Sequence, residues 1–354
     1  MNYFFWLLFL LIHCAAYAQE SQKEAFVKGI YGNPERILQA GYSFDELGVN
    51  AVFVRRSSLN QEFYQQAKAQ GCQVFVEFPT LNGKGYIEDH PEAWPINEKG
   101  EQAAPADWFM GVCPTDPGFQ AYRAEQLKET LGDYMVDGVF LDYLHWHAQF
   151  ETDQPVLPET CFCDRCTQLF EKASALQIPG KDISARSQWI LANQESAWRD
   201  WRNGILNKWV SDMGEILREY QPDALLGAFY CAWFPEDHGG ALYNTLGINV
   251  PSLAKRVDVL APMLFHQMYA RPVTWAGEYM EWLDKIMDSS RPLVWPIVQA
   301  HNKPGIVSPE EFGKALQEGS KTPASGIMMF SEQSLLENRE KMKVMQDFYQ
   351  RTKP

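Results

Sequence analysis

No apolar run in this 354-residue chain reaches the roughly 20 residues that a membrane-crossing helix needs, and the stretch Phe4–Ile12 is shorter than that. Positive charge is scarce. Lys and Arg number 31 against 45 Asp and Glu, a formal net charge of −14. That balance argues against nucleic acid or an anionic membrane surface as a partner, and disfavours a highly sulfated or polyuronic substrate. No low-complexity segment, long linker or short-period repeat interrupts the chain, which sets aside solenoids and disordered tails. No glycine-rich phosphate loop follows the first strand-like run, which weakens the case for an open nucleotide-binding sheet.

At the N-terminus the apolar run is followed by small residues and the sequence Ala16-Tyr17-Ala18. This pattern predicts a secretory signal peptide over residues 1–18, cleaved after Ala18, and therefore a secreted or periplasmic protein. Cys14 raises the question of a lipid anchor, but His13 does not suit the small residue required before a lipidated cysteine. The remaining residues 19–354 suit one large domain, because single α/β barrels commonly take about 250 residues or more.

Eight short apolar runs punctuate that domain: Val27–Tyr31, Ala51–Arg55, Gln73–Phe78, Gly138–Asp142, Leu225–Tyr230, Val257–Leu264, Leu293–Val298 and Gly326–Phe330. Helical periodicity fills the intervals at Asn60–Gln70, Gly118–Tyr134, Ser184–Tyr220, Trp275–Met287, Pro309–Glu318 and Leu335–Thr352. Pro34, Pro222 and Pro309 stand at element boundaries. Eight alternations of strand and helix predict a single-domain α/β fold, a (β/α)8 TIM barrel. An open doubly wound sheet is the alternative.

In such barrels the loops that follow the strands form the active face. All six histidines beyond the signal segment fall there: His90, His145, His147, His238, His266 and His301. Acids gather on the same loops. Asp142 ends the fourth run, Glu77 ends the third, Glu332 follows the eighth and Asp237 follows the fifth. A buried strand ending in a carboxylate and opening into aromatic and histidine residues is how these barrels present an acid to a sugar ring. Asp142 is therefore the candidate nucleophile or base, with Glu332, Glu77 or Asp237 as the proton donor. Each acid also has a structural reading: Asp142 could bond loop amides, Glu77 could pair with Arg55 or Arg56, and Glu332 could cap the last helix. His145, Trp146, His147, Trp233, His266 and Gln299 are the candidate sugar contacts, with Trp94, Trp108 and Tyr269 as further stacking surfaces. Trp189, Trp198, Trp201 and Trp209 repeat at helical spacing and read as packing residues.

Cys161, Cys163 and Cys166 form C-F-C-D-R-C, and Cys113 precedes them by 48 positions. In an exported protein disulfides are the default. A C-x-C pair bridges itself poorly, and three thiolates within one turn plus a fourth suit tetrahedral zinc. The arrangement resembles the structural zinc site of a group of bacterial β-galactosidases with (β/α)8 barrels, where an isolated cysteine is likewise followed by C-x-C-x2-C after strand four. Those enzymes carry Asn-Glu at the end of that strand, whereas this chain has Asp142-Tyr143, so their acid/base assignment does not transfer.

The segments D-G-V-F-L-D-Y (137–143), D-V-L-A-P-M-L-F-H (258–266) and W-P-I-V-Q-A (295–300) are similar to bacterial "hypothetical glycosyl hydrolase" barrels. D-G-x-x-x-D also marks strand four of chitinase-like and α-galactosidase-like enzymes. The first group would place a glutamate where Leu144 stands. The second would place its other acid where His266 and Gln267 stand. The resemblance implies a secreted glycoside hydrolase acting on an oligo- or polysaccharide, with no cofactor for catalysis and a possible structural zinc held by Cys113, Cys161, Cys163 and Cys166. Two other readings stay open: a non-catalytic carbohydrate-binding barrel, and a metal-dependent hydrolase built on the histidines and Asp142.

Overall fold

The computed structural model describes residues 26–106, 109–287 and 292–352. The proposed signal segment and Trp108 lie outside the described residues. Among the described residues nine strands form one parallel sheet: β1 (Val27–Gly32), β2 (Ala51–Arg55), β3 (Gln73–Pro79), β4 (Gly138–Asp142), β5 (Leu225–Cys231), β6 (Val259–Leu264), β7 (Leu293–Val294), β8 (Ile297–Gln299) and β9 (Gly326–Phe330). Pairing runs β5-β4-β3-β2-β1-β9-β8-β6-β7, and β5 also pairs with β6, which closes the sheet. The two short strands β7 and β8 share one position in the barrel, both pairing with β6. The molecule is therefore a closed eight-position parallel barrel ringed by helices, as the alternation of patterns predicts.

Three predicted elements are interrupted. The run Leu293–Val298 breaks at Trp295-Pro296, because proline has no N–H to offer the ladder. The helical stretch 184–220 divides into Ile183–Asn193 and Glu195–Tyr220, with Gln194 at φ −138°, outside the helical region. The last stretch divides into Glu332–Glu337 and Arg339–Arg351, and the side chain of Asn338 caps the second piece by accepting from the N–H groups of Glu340 and Lys341. A helix not predicted from the sequence, Asp164–Ser174, begins within the cysteine cluster.

Register decides which side chains enter the barrel. Gly29 pairs with Ala51, Phe53 with Phe75, Glu77 with Phe140, Phe229 with Ala261 and Ile297 with Met328. Paired residues of parallel strands face the same side, so alternate residues of every strand point inward. The lower interior is an aromatic plug. Phe53 stacks on Phe75 at 4.9 Å and meets Phe140 edge-on at 5.0 Å, while Trp295 packs on Phe75 at 5.3 Å and on Phe140 at 5.9 Å. Glycine on the neighbouring strand makes room for each ring. A Cβ at Gly227 would lie 2.4 Å from the Phe140 ring, and one at Gly29 would lie 2.5 Å from Phe53. The plug forms a rigid floor, and the polar inward residues lie above it at the carboxyl ends of the strands.

Candidate active site at the barrel mouth

One step above the aromatic floor, the inward positions of the first four strands carry Tyr31, Arg55, Glu77 and Asp142. Arg55 pairs with Glu77 across β2 and β3, and Pro79 pairs with Asp142 across β3 and β4. Glu77 and Asp142 thus stand on adjacent strands, two positions apart along the axis. Strand spacing near 4.8 Å and a rise near 3.3 Å per residue put their Cα atoms about 8 Å apart. Glu77 is buried, and Asp142 is only partly exposed.

Burial pushes both carboxyls up, but unequally. Glu77 rises to about 8, driven by desolvation and then by the charge of Asp142, with Arg55 and Arg123 opposing. Asp142 rises only to about 6, because desolvation is offset by a hydrogen bond from the backbone N–H of Tyr143, the charge of Arg55 and a hydrogen bond from Tyr31. The Tyr143 N–H lies 2.8 Å from Oδ1 of Asp142. Between its two titrations the pair holds one proton and one negative charge, and the stronger upward push on Glu77 favours the proton there. A neutral acid beside an ionised carboxylate can donate a proton on one side and act as a base or nucleophile on the other.

A cleft opens beside Asp142, lined also by Tyr143, His145, Phe150, Glu151, Tyr230 and Cys231, with room for about one water molecule (10 Å³). Tyr143 adopts φ 53°, the left-handed region, immediately after the strand-end acid. Its ring stacks on Phe109 at 5.3 Å and 7°. Phe109 also covers His145 and His147.

The other predicted contacts are distributed differently. His145 lines the cleft, and its Nδ1 donates to the Trp146 carbonyl at 2.8 Å, leaving Nε2 as an acceptor. Burial lowers its pKa to about 4, so the ring is neutral at pH 7. His147 uses both nitrogens internally: Nδ1 accepts from the Gly111 N–H at 3.0 Å, so Nε2 carries the proton and donates to the Ala104 carbonyl at 2.8 Å. Trp146 is fully buried, donating to the Arg202 carbonyl at 3.2 Å with that residue's guanidinium over its ring at 4.7 Å. Trp233 is buried behind Phe150 and against His238.

Asp237 accepts from the Phe234 N–H at 2.9 Å and pairs with Arg271 at 2.6 Å. His266 is buried with Nε2 3.1 Å from Glu311. Gln299 accepts from the N–H groups of Gln267 and Met268 and donates to the His301 and Lys303 carbonyls, tying two loops together. Glu332 is buried and pairs with Arg36 at 3.2 Å, and Gly32 leaves the space its carboxylate fills. Of the three candidate partner acids, Glu77 is the one on which the charge of Asp142 acts directly. Sequence reasoning did not single out Tyr31, Phe109 or Glu151, and it read Tyr143 only as part of the aromatic loop that follows Asp142. It weighed Arg55 only as a pairing partner for Glu77. The available signal was position, since Tyr31 and Arg55 end strands on the period-2 row that also carries Glu77.

Beside the mouth, the Sγ atoms of Cys113, Cys161, Cys163 and Cys166 all lie within 4.8 Å of one another. Cys113 is 3.8 Å from Cys163 and 3.4 Å from Cys166, and all four are free thiols. Four sulfurs around an ion at 2.3 Å would stand about 3.8 Å apart, so the donor set and spacing fit a tetrahedral metal. Among the described residues this is the one group of three or more His, Cys, Asp or Glu that could hold an ion. Cys113 comes from the long loop after β3 and the other three from the loop after β4 and the helix it feeds.

No protein-family model and no curated protein matches the sequence. Among solved structures, the chain is similar to the glycoside hydrolase domain of PgaB (BpsB) from Bordetella bronchiseptica, with TM-score 0.67, 13% identity, and 90% of this chain and 98% of that one covered. It is similar also to a β-galactosidase from the psychrophilic Marinomonas ef1, with TM-score 0.65 and 12% identity over 91% of this chain and 58% of that one. A third is α-L-fucosidase isoenzyme 2 from Paenibacillus thiaminolyticus, with TM-score 0.55 and 11% identity over 92% of this chain and 49% of that one. The chain spans about half the length of the last two. At these identities the likeness is one of fold, a (β/α)8 barrel.

Proposed function

We propose that this protein is an exported glycoside hydrolase in which Glu77 protonates the leaving oxygen and Asp142 acts as nucleophile or as base on water. The observation that carries the reading is the inward pair on β3 and β4, with burial raising both acids and the charge of Asp142 pushing Glu77 further, to about 8 against about 6. A Cα separation near 8 Å allows the carboxyls to reach either the about 5–5.5 Å of a retaining enzyme or the about 6.5–9.5 Å of an inverting one. The likeness to three glycosidase barrels supports carbohydrate as the substrate class. A sugar ring enters beside Asp142 only if lining side chains shift, since the cleft has room for about one water.

The four cysteines would hold a structural zinc, which as a closed thiolate site braces the loops and takes no part in the chemistry. The apolar run and Ala16-Tyr17-Ala18 support export. The decisive experiment screens aryl glycosides and oligosaccharides with the wild-type chain, Glu77→Gln and Asp142→Asn. Turnover by the wild type that both variants lose supports the assignment, and turnover that survives in either removes that residue from it.

A further inference from the structure

We propose that a sugar subsite lies closed behind Phe150, where the Trp233 indole N–H and the Tyr269 hydroxyl donate to the hydroxyl oxygens of a neutral sugar ring once Phe150 swings aside. The inference rests on the glycosidase reading of the barrel mouth and adds where the ring goes and which side chain admits it.

The cleft beside Asp142 runs across three strands, with Cys231 of β5 and Met263 of β6 in its wall. Those two are register partners. Trp233 follows Cys231 by two residues, and Tyr269 follows the end of β6 by five. Their rings stand 6.2 Å apart, on the loops that rise from neighbouring strands. Phe150 joins this place to the cleft. It lines the cleft, meets His145 edge-on at 5.0 Å and meets Trp233 edge-on at 6.1 Å.

The polar atoms behind Phe150 are unsatisfied. Trp233 is 1% exposed and Tyr269 6%, yet neither the indole Nε1 nor the hydroxyl has a hydrogen-bond partner. Cys231 and the Ala232 backbone are electrostatic neighbours of that hydroxyl, but neither meets it in hydrogen-bond geometry. Native proteins leave few buried polar groups unpaired, because each one forfeits its hydration. Trp146 and Trp209 show the usual solution in this chain: each indole N–H reaches a backbone carbonyl, at 3.2 Å and 2.8 Å. Trp198 also lacks a partner, but it packs among Phe162, Phe170 and Trp201, none of which lines the cleft.

Donor chemistry selects the ligand. An indole N–H only donates, and a phenol both donates and accepts. Two uncharged donors suit the oxygens of sugar hydroxyls and offer no counter-charge to a uronate or an amino sugar. The aromatic faces around them supply the apolar lining that a sugar ring covers. Phe150 can yield without disturbing the barrel. It directly follows Gln149, which an isolated antiparallel bridge pins to Val156 through two 2.9 Å hydrogen bonds, and the turn beyond carries exposed Asp153 and Gln154.

The test uses the full chain with isotope-labelled tryptophan indoles followed by NMR, the Trp233 and Trp275 signals being those missing from Trp233→Phe and Trp275→Phe. Phe150→Ala should speed solvent exchange of the Trp233 N–H at least about tenfold and leave that of Trp275 nearly unchanged. If Phe150→Ala does not fold, Phe150→Leu replaces it, with a smaller acceleration in the same direction. Methyl β-D-glucoside and methyl β-D-galactoside then serve as neutral probes. At least one should move the Trp233 signal saturably, at lower concentration in the Phe150 variant than in the wild type. Tyr269→Phe, which removes only the hydroxyl, should weaken that binding about three- to tenfold. Trp233 exchange indifferent to Phe150, or a Trp233 signal that neither glycoside moves, overturns the proposal. Neither measurement needs turnover. A saturable shift without glycoside cleavage keeps the subsite and rejects the glycosidase reading, whereas cleavage with a silent Trp233 does the reverse.

Discussion

Asp142 pairs with Pro79 across the β3–β4 ladder, and so meets Glu77 along a diagonal of the sheet. Direct pairing would press two carboxyls together about 4.8 Å apart at their backbones, on a floor that excludes water. The diagonal keeps them near enough for one charge to suppress ionisation of the other, yet leaves space for a bond-breaking centre between them. Arg55, the true register partner of Glu77, sits at the rim and tempers both acids.

Replacement of Asp142 by Asn should lower turnover by about 10²–10⁴ while the melting temperature stays level or rises slightly, since a buried carboxylate is exchanged for an isosteric neutral amide. Steady-state kinetics and a thermal melt on the same preparation decide the matter. Turnover within a few-fold of wild type would remove Asp142 from the chemistry.

The pH dependence should be bell-shaped in kcat/KM, with limbs near 6 and near 8 that follow Asp142 and Glu77. Stability carries the opposite signature to that of an ordinary surface acid. Both folded pKa values lie above their unfolded values, so the folded state binds more protons across the interval. The favourable contribution is complete below about pH 4 and is lost as pH rises through about 6 and then about 8. Glu77→Gln should therefore raise the melting temperature relative to wild type at pH 9 and change it little at pH 5. An equal effect at both pH values would contradict the elevated titration of Glu77.

Much of the barrel was legible because its strands are covered on both faces and read as continuous apolar runs bounded by polar turns. What escaped was local. Pro296 splits one strand, and Gln194 and Asn338 each leave the helical region, although both sit in stretches with helical periodicity. In the site, Asp142 was visible because an acid ending a buried strand is anomalous. Tyr31 was not legible as a site residue because a buried aromatic in that place reads as core. Trp146, His147 and Gln299 have the residue types that hold sugars and lie on the right loops. Their hydrogen bonds, however, go to the protein's own backbone. Sequence position shows which loop carries a side chain, but not where its hydrogen bonds end.

His147 offers a direct test of that distinction. It joins two loops by accepting from Gly111 and donating to Ala104, and His147→Ala would leave both backbone groups without partners. The loss should be about 2–3 kcal/mol in urea unfolding. His147→Asn should recover part of it if its amide reaches either group. A stability unchanged in both variants would mean that the imidazole does not brace the loops.

The cysteine cluster bears on the same two loops from the other side. Cys113 lies two residues from Gly111 and four from Phe109, whose ring covers Tyr143 and His145 at the cleft. Cys161 accepts from the Ile96 N–H at 3.3 Å, so the cluster also reaches back into the loop after β3. An ion bound to the four sulfurs would fix the aromatic wall of the site without touching a substrate. Purified protein should carry about one zinc per chain, and Cys163→Ser should lose it with a lower melting temperature. Because Asp142 and Glu77 sit on strands and not on these loops, the limbs of the pH profile should stay near 6 and 8 while KM rises. Metal analysis without zinc, together with mass-spectrometric bridges among the four cysteines, would overturn the metal assignment. A displaced pH profile would mean that the cluster acts on the acids themselves.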